Sequence, residues 1–179
     1  MASELTLGFL GAGKMATALA RGFTAAKLTS AKNLVASDVM EGARKAFADE
    51  TGVKPMPTNL AVCKAASILL LAVKPDQVAG VLAEIRAHVT AKHLLISIAA
   101  GVPLAKLEAG LAPGARVIRV MPNTPALVGA SASAFAVGSH ATPADAALAQ
   151  KLFSSVGIAL QVKESLLDAV TGQIGRAHV

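Results

Sequence analysis

The stretch Gly8–Phe23, GFLGAGKMATALARGF, constrains the fold more than any other part of this sequence. Three glycines fall within its first six residues. They separate the short apolar run Leu5–Leu10 from Lys14–Ala26, where apolar residues recur every three or four positions. This spacing predicts a buried strand, a tight turn at Gly11–Gly13 and a helix. The glycines leave the backbone of this turn without side chains, which indicates that something must approach that backbone closely.

The rest of the chain alternates short apolar runs with helical patterns. Strands are predicted at Asn33–Ser37, Val53–Met56, Ser67–Val73, His93–Ile98, Arg116–Val120, Ser131–Val137 and Ile158–Val162. Helices are predicted at Glu41–Glu50, Asn59–Ala66, Lys74–Val89, Pro103–Ala109, Thr142–Ser155 and Glu164–Val170, and residues 121–131 form a proline-punctuated loop. Such alternation predicts an α/β fold with a Rossmann-like, doubly wound, mostly parallel sheet and helices on both faces.

Composition narrows the class of protein. The 179 residues suit one domain, and a 54% hydrophobic content excludes a disordered chain. No apolar run is long enough to span a membrane and no secretory signal is present, so a cytoplasmic location is expected. The net charge is +6, but the basic residues are scattered and Trp and Tyr are absent. These features favour a small phosphate-bearing ligand over nucleic acid as partner.

Metal and covalent chemistry are not expected. The single cysteine, Cys63, permits no internal disulfide and is interpreted as a small buried residue. The four histidines, at positions 88, 93, 140 and 178, do not have ligand spacing. Serine and aspartate residues form no recognisable nucleophile set.

The turn after the first strand has the G-x-G-x-x-A pattern, from Gly11 to Ala16. In this pattern the first glycine permits the tight turn, and the second removes a side chain where a pyrophosphate contacts the backbone. The small Ala16 lets the helix pack on the strand. Helix N–H groups and the helix dipole attract the phosphate. The sequence therefore predicts a dinucleotide site for NADP or NAD.

The choice between the two coenzymes stays open. Asp38 ends the second strand, where an acid accepts the ribose hydroxyls of NAD. A second interpretation makes Asp38 the N-cap of the following helix. Ser37 offers a hydroxyl to a phosphate, whereas Arg44 and Lys45 are expected to lie too far along the helix to help.

Further motifs identify a resemblance to a known family. They are AVKP at Ala72–Pro75, SIAAGV at Ser97–Val102, RVMPNTPALV at Arg119–Val128 and LLDAVTG at Leu166–Gly172. With the glycine-rich turn before them, the chain resembles pyrroline-5-carboxylate reductase from about Leu5 to Gly172. The resemblance implies NAD(P)H-dependent reduction of 1-pyrroline-5-carboxylate to L-proline, the last step of proline biosynthesis.

The resemblance also implies which residues contact the cofactor, which would lie across the carboxyl ends of the strands. The pyrophosphate would lie at Leu10, Gly11, Ala12, Gly13, Lys14 and Met15, the adenosine ribose at Ser37 and Asp38, and the adenine end beside Asn59. Ala72, Val73, Lys74 and Pro75 would line the cofactor, and Ile98, Ala99 and Ala100 would lie near the nicotinamide. The MPNTP loop would form the floor of the nicotinamide site, with Asn123 as a polar contact. No residue is nominated as catalytic, because reducing an imine mainly demands positioning.

The sequence departs from the family after Gly172, where a helical domain would follow. Residues 1–163 are expected to form the cofactor-binding domain, 164–172 to begin a linker helix, and 173–179 to be a non-native tail. The missing domain would make the parent protein a homo-oligomer built on a dimer, and the chain as given is expected to be inactive. The alternatives are a non-catalytic nucleotide-binding or sensor domain, and another two-domain NAD(P)-dependent dehydrogenase.

Overall fold

The structure is a computed structural model that describes residues 5–167. Its strands are β1 Leu7–Leu10, β2 Leu34–Ser37, β3 Ile68–Leu71, β4 Leu94–Ser97, β5 Arg116–Met121, β6 Ser131–Val137 and β7 Gly157–Gln161. Its helices are α1 Lys14–Ala25, α2 Glu41–Thr51, α3 Asn59–Ala65, α4 Val78–Ile85, α5 Leu104–Ala109 and α6 Pro143–Ser154. Most predicted elements are therefore present, with ends shifted by one or two residues.

The strands form one seven-stranded sheet in the order β2-β1-β3-β4-β5-β6-β7. All neighbouring pairs are parallel except β5 and β6, which are antiparallel. The near-continuous burial of β1, β3 and β4 is typical of parallel strands covered on both faces. The predicted α/β, mostly parallel fold is confirmed.

Each face of the sheet carries its own core. On one face α1, α2 and α6 bury phenylalanines: Phe9 packs against Phe47 with ring centroids 5.7 Å apart, and Phe23 against Phe153 at 6.0 Å. On the other face α3, α4 and α5 bury aliphatic side chains such as Leu82. Burying one such side chain contributes about 1.5–3 kcal/mol, so the two cores fix the sheet between its helices.

The prediction of a strand at Val53–Met56 is wrong. This segment follows α2 in an irregular path, and it contacts the sheet through one backbone hydrogen bond, from the Met56 N–H to the Ala36 oxygen at 2.6 Å. Pro55 and Pro57 have no N–H group to donate. A strand here would therefore lack alternate ladder bonds, and the single bond from Met56 does not make the segment a strand.

The predicted helix at Lys74–Val89 is shorter than expected. It begins as a 3₁₀ turn at Pro75–Gln77, where the proline occupies the first turn, and continues as α4. Near its end the His88 N–H donates to the Ile85 oxygen at 2.8 Å, which tightens the chain into a turn. Tight turns of this kind are common where helices begin and end.

The segment around residues 121–131 is partly ordered into regular structure. Met121 belongs to β5, and Thr124–Val128 form a 3₁₀ turn that ends at Gly129. Downstream, Thr142 and Asp145 form a capping box that starts α6. The segment therefore connects β5 to its antiparallel neighbour β6.

Residues 164–167 begin the predicted helix Glu164–Val170. Glu164 ties this segment to the sheet, since its Oε1 accepts from Arg119 at 3.1 Å and from the Leu104 N–H at 2.6 Å. The rest of that helix and the predicted tail at 173–179 lie outside the described residues. Within residues 5–167, the helices are all too short or too polar to cross a bilayer.

Candidate dinucleotide-binding site

Four neighbouring parallel strands end at the same edge of the sheet. Leu10 pairs with Ser37 on one side and with Leu71 on the other, and Leu71 pairs in turn with Ser97. The residues that follow these strands therefore lie side by side. This edge brings together the predicted site residues of the turn at 10–15, of 37–38, of 72–75 and of 98–100.

The turn after β1 is held against its two neighbouring strands. The Gly11 N–H donates to the Ser37 oxygen at 2.9 Å, and the Ala72 N–H donates to the Leu10 oxygen at 2.8 Å. Gly11 has a φ of +101°, and a Cβ atom there would lie 2.7 Å from the backbone oxygen of Ala72. Only glycine fits this bend without a shift of β3 or of the turn.

Gly13 differs from Gly11 because its missing side chain faces open space. It is the N-cap of α1, and in the described structure no side chain caps this helix end. A Cβ atom at Gly13 would have no atom within 4 Å. Lys14 is exposed and Ala16 is fully buried, as the packing of helix on strand requires. The exposed N–H groups of this first helical turn are suited to an anion.

The carboxylate of Asp38 bridges two backbone segments at the site. Its Oδ2 accepts the Ala12 N–H at 2.8 Å, and its Oδ1 accepts the Met40 N–H at 2.8 Å. Met40 is the N-cap residue of α2, so the interpretation of Asp38 as that cap is wrong. Asp38 instead links the turn after β1 to the loop after β2.

Arg44 reaches the site, contrary to the expectation from its position in α2. Its Nη1 donates to the backbone oxygen of Asp38 at 2.7 Å and to that of Val39 at 3.2 Å. Lys45 lies on another side of the helix and pairs with Asp49 at 2.6 Å, which raises the pKa of this lysine. The guanidinium of Arg44 therefore lies beside the end of β2, whereas the ammonium of Lys45 does not contact it.

A chain of hydrogen bonds connects β2 to α3 and α4. The Ser37 hydroxyl donates to Asn59 Oδ1 at 2.6 Å, and Asn59 Nδ2 donates to Glu84 Oε2 at 2.7 Å. Thr58, the residue before Asn59, is the N-cap of α3. The hydroxyl of Ser37 and the amide of Asn59, both predicted to contact the adenosine half of a cofactor, are thus adjacent.

The ends of β3 and β4 offer mainly small side chains and backbone. The Ile98 N–H donates to the Leu71 oxygen at 3.0 Å, so the loop after β4 begins in register with β3. Ala99 is buried, whereas Ala72 and Ala100 are partly exposed. Because these side chains are small, a ligand at this edge would meet mainly backbone.

Asn123 lies beyond the end of β5 and faces β6. Its Oδ1 accepts from the Ser131 hydroxyl at 3.1 Å and from the Ala132 N–H at 2.9 Å. These bonds fix the loop that contains MPNTP. The structure does not bring Asn123 into hydrogen-bond contact with the other predicted site residues.

Sequence reasoning missed a groove that continues from the start of α1. It has a volume of about 620 Å³ and runs between α1 and the 3₁₀ turn at Thr124–Val128. Lys14, Thr17 and Arg21 line one side, and Ala126 and Leu127 line the other. Its two walls are far apart in the sequence, so no local pattern indicates it.

The family of the chain follows from a comparison of its sequence with family models. A model described as "NADP oxidoreductase coenzyme F420-dependent" matches residues 6–101, which is more than half of the 179-residue chain. The chain belongs to this family. The matched range begins at β1 and extends past β4, so it contains the glycine-rich turn and the strand ends that form the candidate site.

The curated relatives confirm the predicted resemblance. A pyrroline-5-carboxylate reductase of Methanosarcina acetivorans is 46% identical over 169 residues, which cover 94% of this chain and 63% of that protein. The chain therefore spans less than two thirds of the length of this relative. The match covers the N-terminal part of such reductases.

Solved structures show the same relationship. A pyrroline-5-carboxylate reductase of Coxiella burnetii superposes with a TM-score of 0.89 at 26% identity, covering 96% of this chain and 64% of that one. A pyrroline carboxylate reductase of Plasmodium falciparum, whose structure has NADP bound, superposes with a TM-score of 0.86 at 31% identity. This match covers 97% of the present chain and 63% of the Plasmodium chain. The fold described above is that of these proteins.

Proposed function

We propose that the chain is the cofactor-binding part of a pyrroline-5-carboxylate reductase. The parent protein would use NADPH or NADH to reduce 1-pyrroline-5-carboxylate to L-proline. The observation that carries this proposal is the 46% identity to the Methanosarcina reductase over 94% of the chain. The family description and the NADP in the Plasmodium structure support NADP or NAD as the cofactor.

The residues at the sheet edge fit the cofactor. The pyrophosphate would lie over Gly13, where a Cβ atom would have open space around it and the first turn of α1 presents N–H groups. The adenosine ribose would lie beside Ser37 and Asp38, with the adenine toward Asn59. The nicotinamide half would extend along the ends of β3 and β4, where Ala99 and Ala100 permit close approach to the backbone.

Bound there, the cofactor supplies a hydride to the carbon of the substrate C=N bond. The ends of β3 and β4 would hold the nicotinamide ring and orient it through backbone contacts. A protonated imine is already electrophilic, so the main demand on the protein is geometry and the exclusion of water. For that reason we assign the residues of this chain to binding and orientation.

The rest of the parent protein is proposed to supply much of the substrate site. The relatives extend beyond the matched region by more than a third of their length. We further propose that this additional part makes the parent a homo-oligomer built on a dimer, and that the chain as given binds the cofactor without appreciable turnover. A non-catalytic nucleotide-binding role predicts the same cofactor binding. It predicts no imine reduction when the C-terminal part of a reductase is joined to the chain.

Two measurements test the proposal. The first is calorimetric titration of the chain with NADPH and NADH. The second is an assay of NADPH oxidation with 1-pyrroline-5-carboxylate, using a chimera in which the C-terminal part of the Methanosarcina reductase follows the chain. We expect cofactor binding in the first and proline formation in the second. Binding without proline formation would contradict the substrate assignment, and absence of binding would contradict the assignment as a whole.

A further inference from the structure

The guanidinium of Arg44 lies beside the end of β2, next to the proposed position of the adenosine ribose. Arg44 is on the second turn of α2, and its side chain reaches back to the backbone oxygens of Asp38 and Val39. Both bonds are made by one nitrogen, Nη1. An arginine has five N–H donors arranged as a planar fork, so this side chain can meet an anion while the loop holds it in place.

Asp38 connects the two loops beside the proposed ribose site. Each of its carboxylate oxygens accepts a backbone N–H at 2.8 Å, one from Ala12 and one from Met40. These two bonds hold the carboxylate between the turn after β1 and the loop after β2. The side chain therefore has a positioning role between two loops, for which either coenzyme would be suitable.

The surface next to Arg44 is predominantly basic. A groove of about 530 Å³ is lined by the charged residues Glu41, Arg44, Lys45 and Lys54, together with residues 55–57. Lys45 is paired with Asp49, and Lys54 is exposed. Arg44 is only partly exposed, and fixed in direction by two carbonyl groups, so it is the cation whose position is set by the fold.

We propose that Arg44 binds the 2′-phosphate of NADP and that the chain prefers NADPH to NADH. This inference rests on the proposed function, since it concerns the same cofactor site. NADP differs from NAD by one phosphate on the adenosine ribose, and a planar guanidinium is the side chain best suited to bind it. Asp38 holds the loops around the ribose and does not select NAD.

The test compares ligands that differ only in this phosphate. Adenosine 2′,5′-bisphosphate and 5′-AMP carry the adenosine end of NADP and NAD, and calorimetry with the full 179-residue chain gives both dissociation constants. We expect the bisphosphate to bind about 10- to 100-fold more tightly, the range of one charge-assisted hydrogen bond. NADPH and NADH should show the same ratio.

Three variants locate the effect. Arg44→Ala should abolish the preference by weakening the bisphosphate and NADPH while leaving 5′-AMP and NADH unchanged, and Arg44→Lys should keep part of it. Arg86→Ala is the matched control, because it removes an exposed guanidinium at the end of α4, in a groove shared with Lys106 and Gly110 and not with residues of β2. Thermal unfolding followed by circular dichroism verifies that each variant is folded.

The outcomes separate the two proposals. Binding of both coenzymes with equal affinity, tighter binding of NADH, or an unchanged ratio in folded Arg44→Ala would overturn the role of Arg44. The proposed function would stand in those cases. Failure of the unmodified chain to bind either coenzyme would overturn the proposed function, and the role of Arg44 with it.

Discussion

Replacing Gly11 by alanine tests the turn on which the cofactor site depends. At a φ of +101° a side chain is strained whatever its surroundings, which costs roughly 1–3 kcal/mol. The added Cβ atom would also lie 2.7 Å from the Ala72 oxygen and 3.0 Å from Val73 Cγ1. Relieving this overlap requires backbone movement, which costs roughly another 1–3 kcal/mol. We expect the unfolding free energy to fall by about 2–6 kcal/mol.

Gly13→Ala is the matched variant, because the same methyl group there meets no atom within 4 Å and the φ of −76° suits any residue. Alanine is a poorer N-cap than glycine, so a loss of about 1 kcal/mol or less is expected. The methyl group would nevertheless stand where the pyrophosphate is proposed to lie. Gly13→Ala should therefore weaken NADPH binding by about tenfold or more while the protein stays folded.

Urea denaturation followed by circular dichroism measures the first effect, and calorimetric titration with NADPH measures the second. The two variants should separate, with Gly11→Ala losing stability and Gly13→Ala losing affinity. Equal stability of Gly11→Ala and the unmodified chain would refute the packing argument. Unchanged NADPH affinity in Gly13→Ala would refute the placement of the pyrophosphate.

Three further predictions concern single groups. Burial, followed by the negative charge of Glu84, raises the pKa of the Cys63 thiol to about 11 from 9.0. At pH 8 the thiolate fraction of Cys63, and therefore its rate of reaction with a disulfide reagent, should be about 100-fold lower in the folded chain than in the urea-unfolded chain. Equal rates would contradict this burial. Asn59→Asp puts a second carboxylate at the 2.7 Å contact with Glu84. In urea denaturation it should lower the unfolding free energy by about 1 kcal/mol more than Asn59→Ala does. Equal losses in the two variants would show that charge is not the cause. Thr142→Ala removes the hydroxyl that accepts the Asp145 N–H and should lower the unfolding free energy by about 1 kcal/mol; an unchanged urea midpoint would argue against the cap.

The sheet could be predicted because its strands are short apolar runs separated by turn residues. Residues 68–71 and 94–97 are buried throughout, and a run of this kind leaves little choice of structure. The segment Val53–Met56 has no such run, because Lys54 and Pro55 separate its two apolar residues, and Pro57 follows it. The strand predicted there does not form, since the prolines lack the N–H groups that a ladder needs.

The position of the Arg44 side chain could not be predicted from spacing along the helix. Side chains of an α-helix point back toward its N-terminus, so a residue on the second turn can reach the loop before the first. Counting positions from Asp38 suggested a larger separation than the 2.7 Å that the structure shows between Arg44 Nη1 and the Asp38 oxygen. A residue count omits the direction in which a helical side chain points, and this direction brings the Arg44 guanidinium to the Asp38 oxygen.

The bonds of Asp38 also lay beyond sequence reasoning. Its partner Ala12 is 26 positions away in the chain, and the two meet only because β1 and β2 pair in parallel with Leu10 opposite Ser37. The sequence predicted both strands and the turn. The register between the strands, which determines which amide the carboxylate meets, came only from the structure.

The most direct test of the central claim is the location of the bound coenzyme. In a ¹⁵N-labelled sample titrated with NADPH, we expect the largest amide shifts at residues 12–15, where the turn after β1 meets α1, and smaller ones at residues 98–100. Saturable NADPH binding that leaves the amides of 12–15 unshifted, or that shifts residues remote from the carboxyl ends of the strands, would contradict the dinucleotide site.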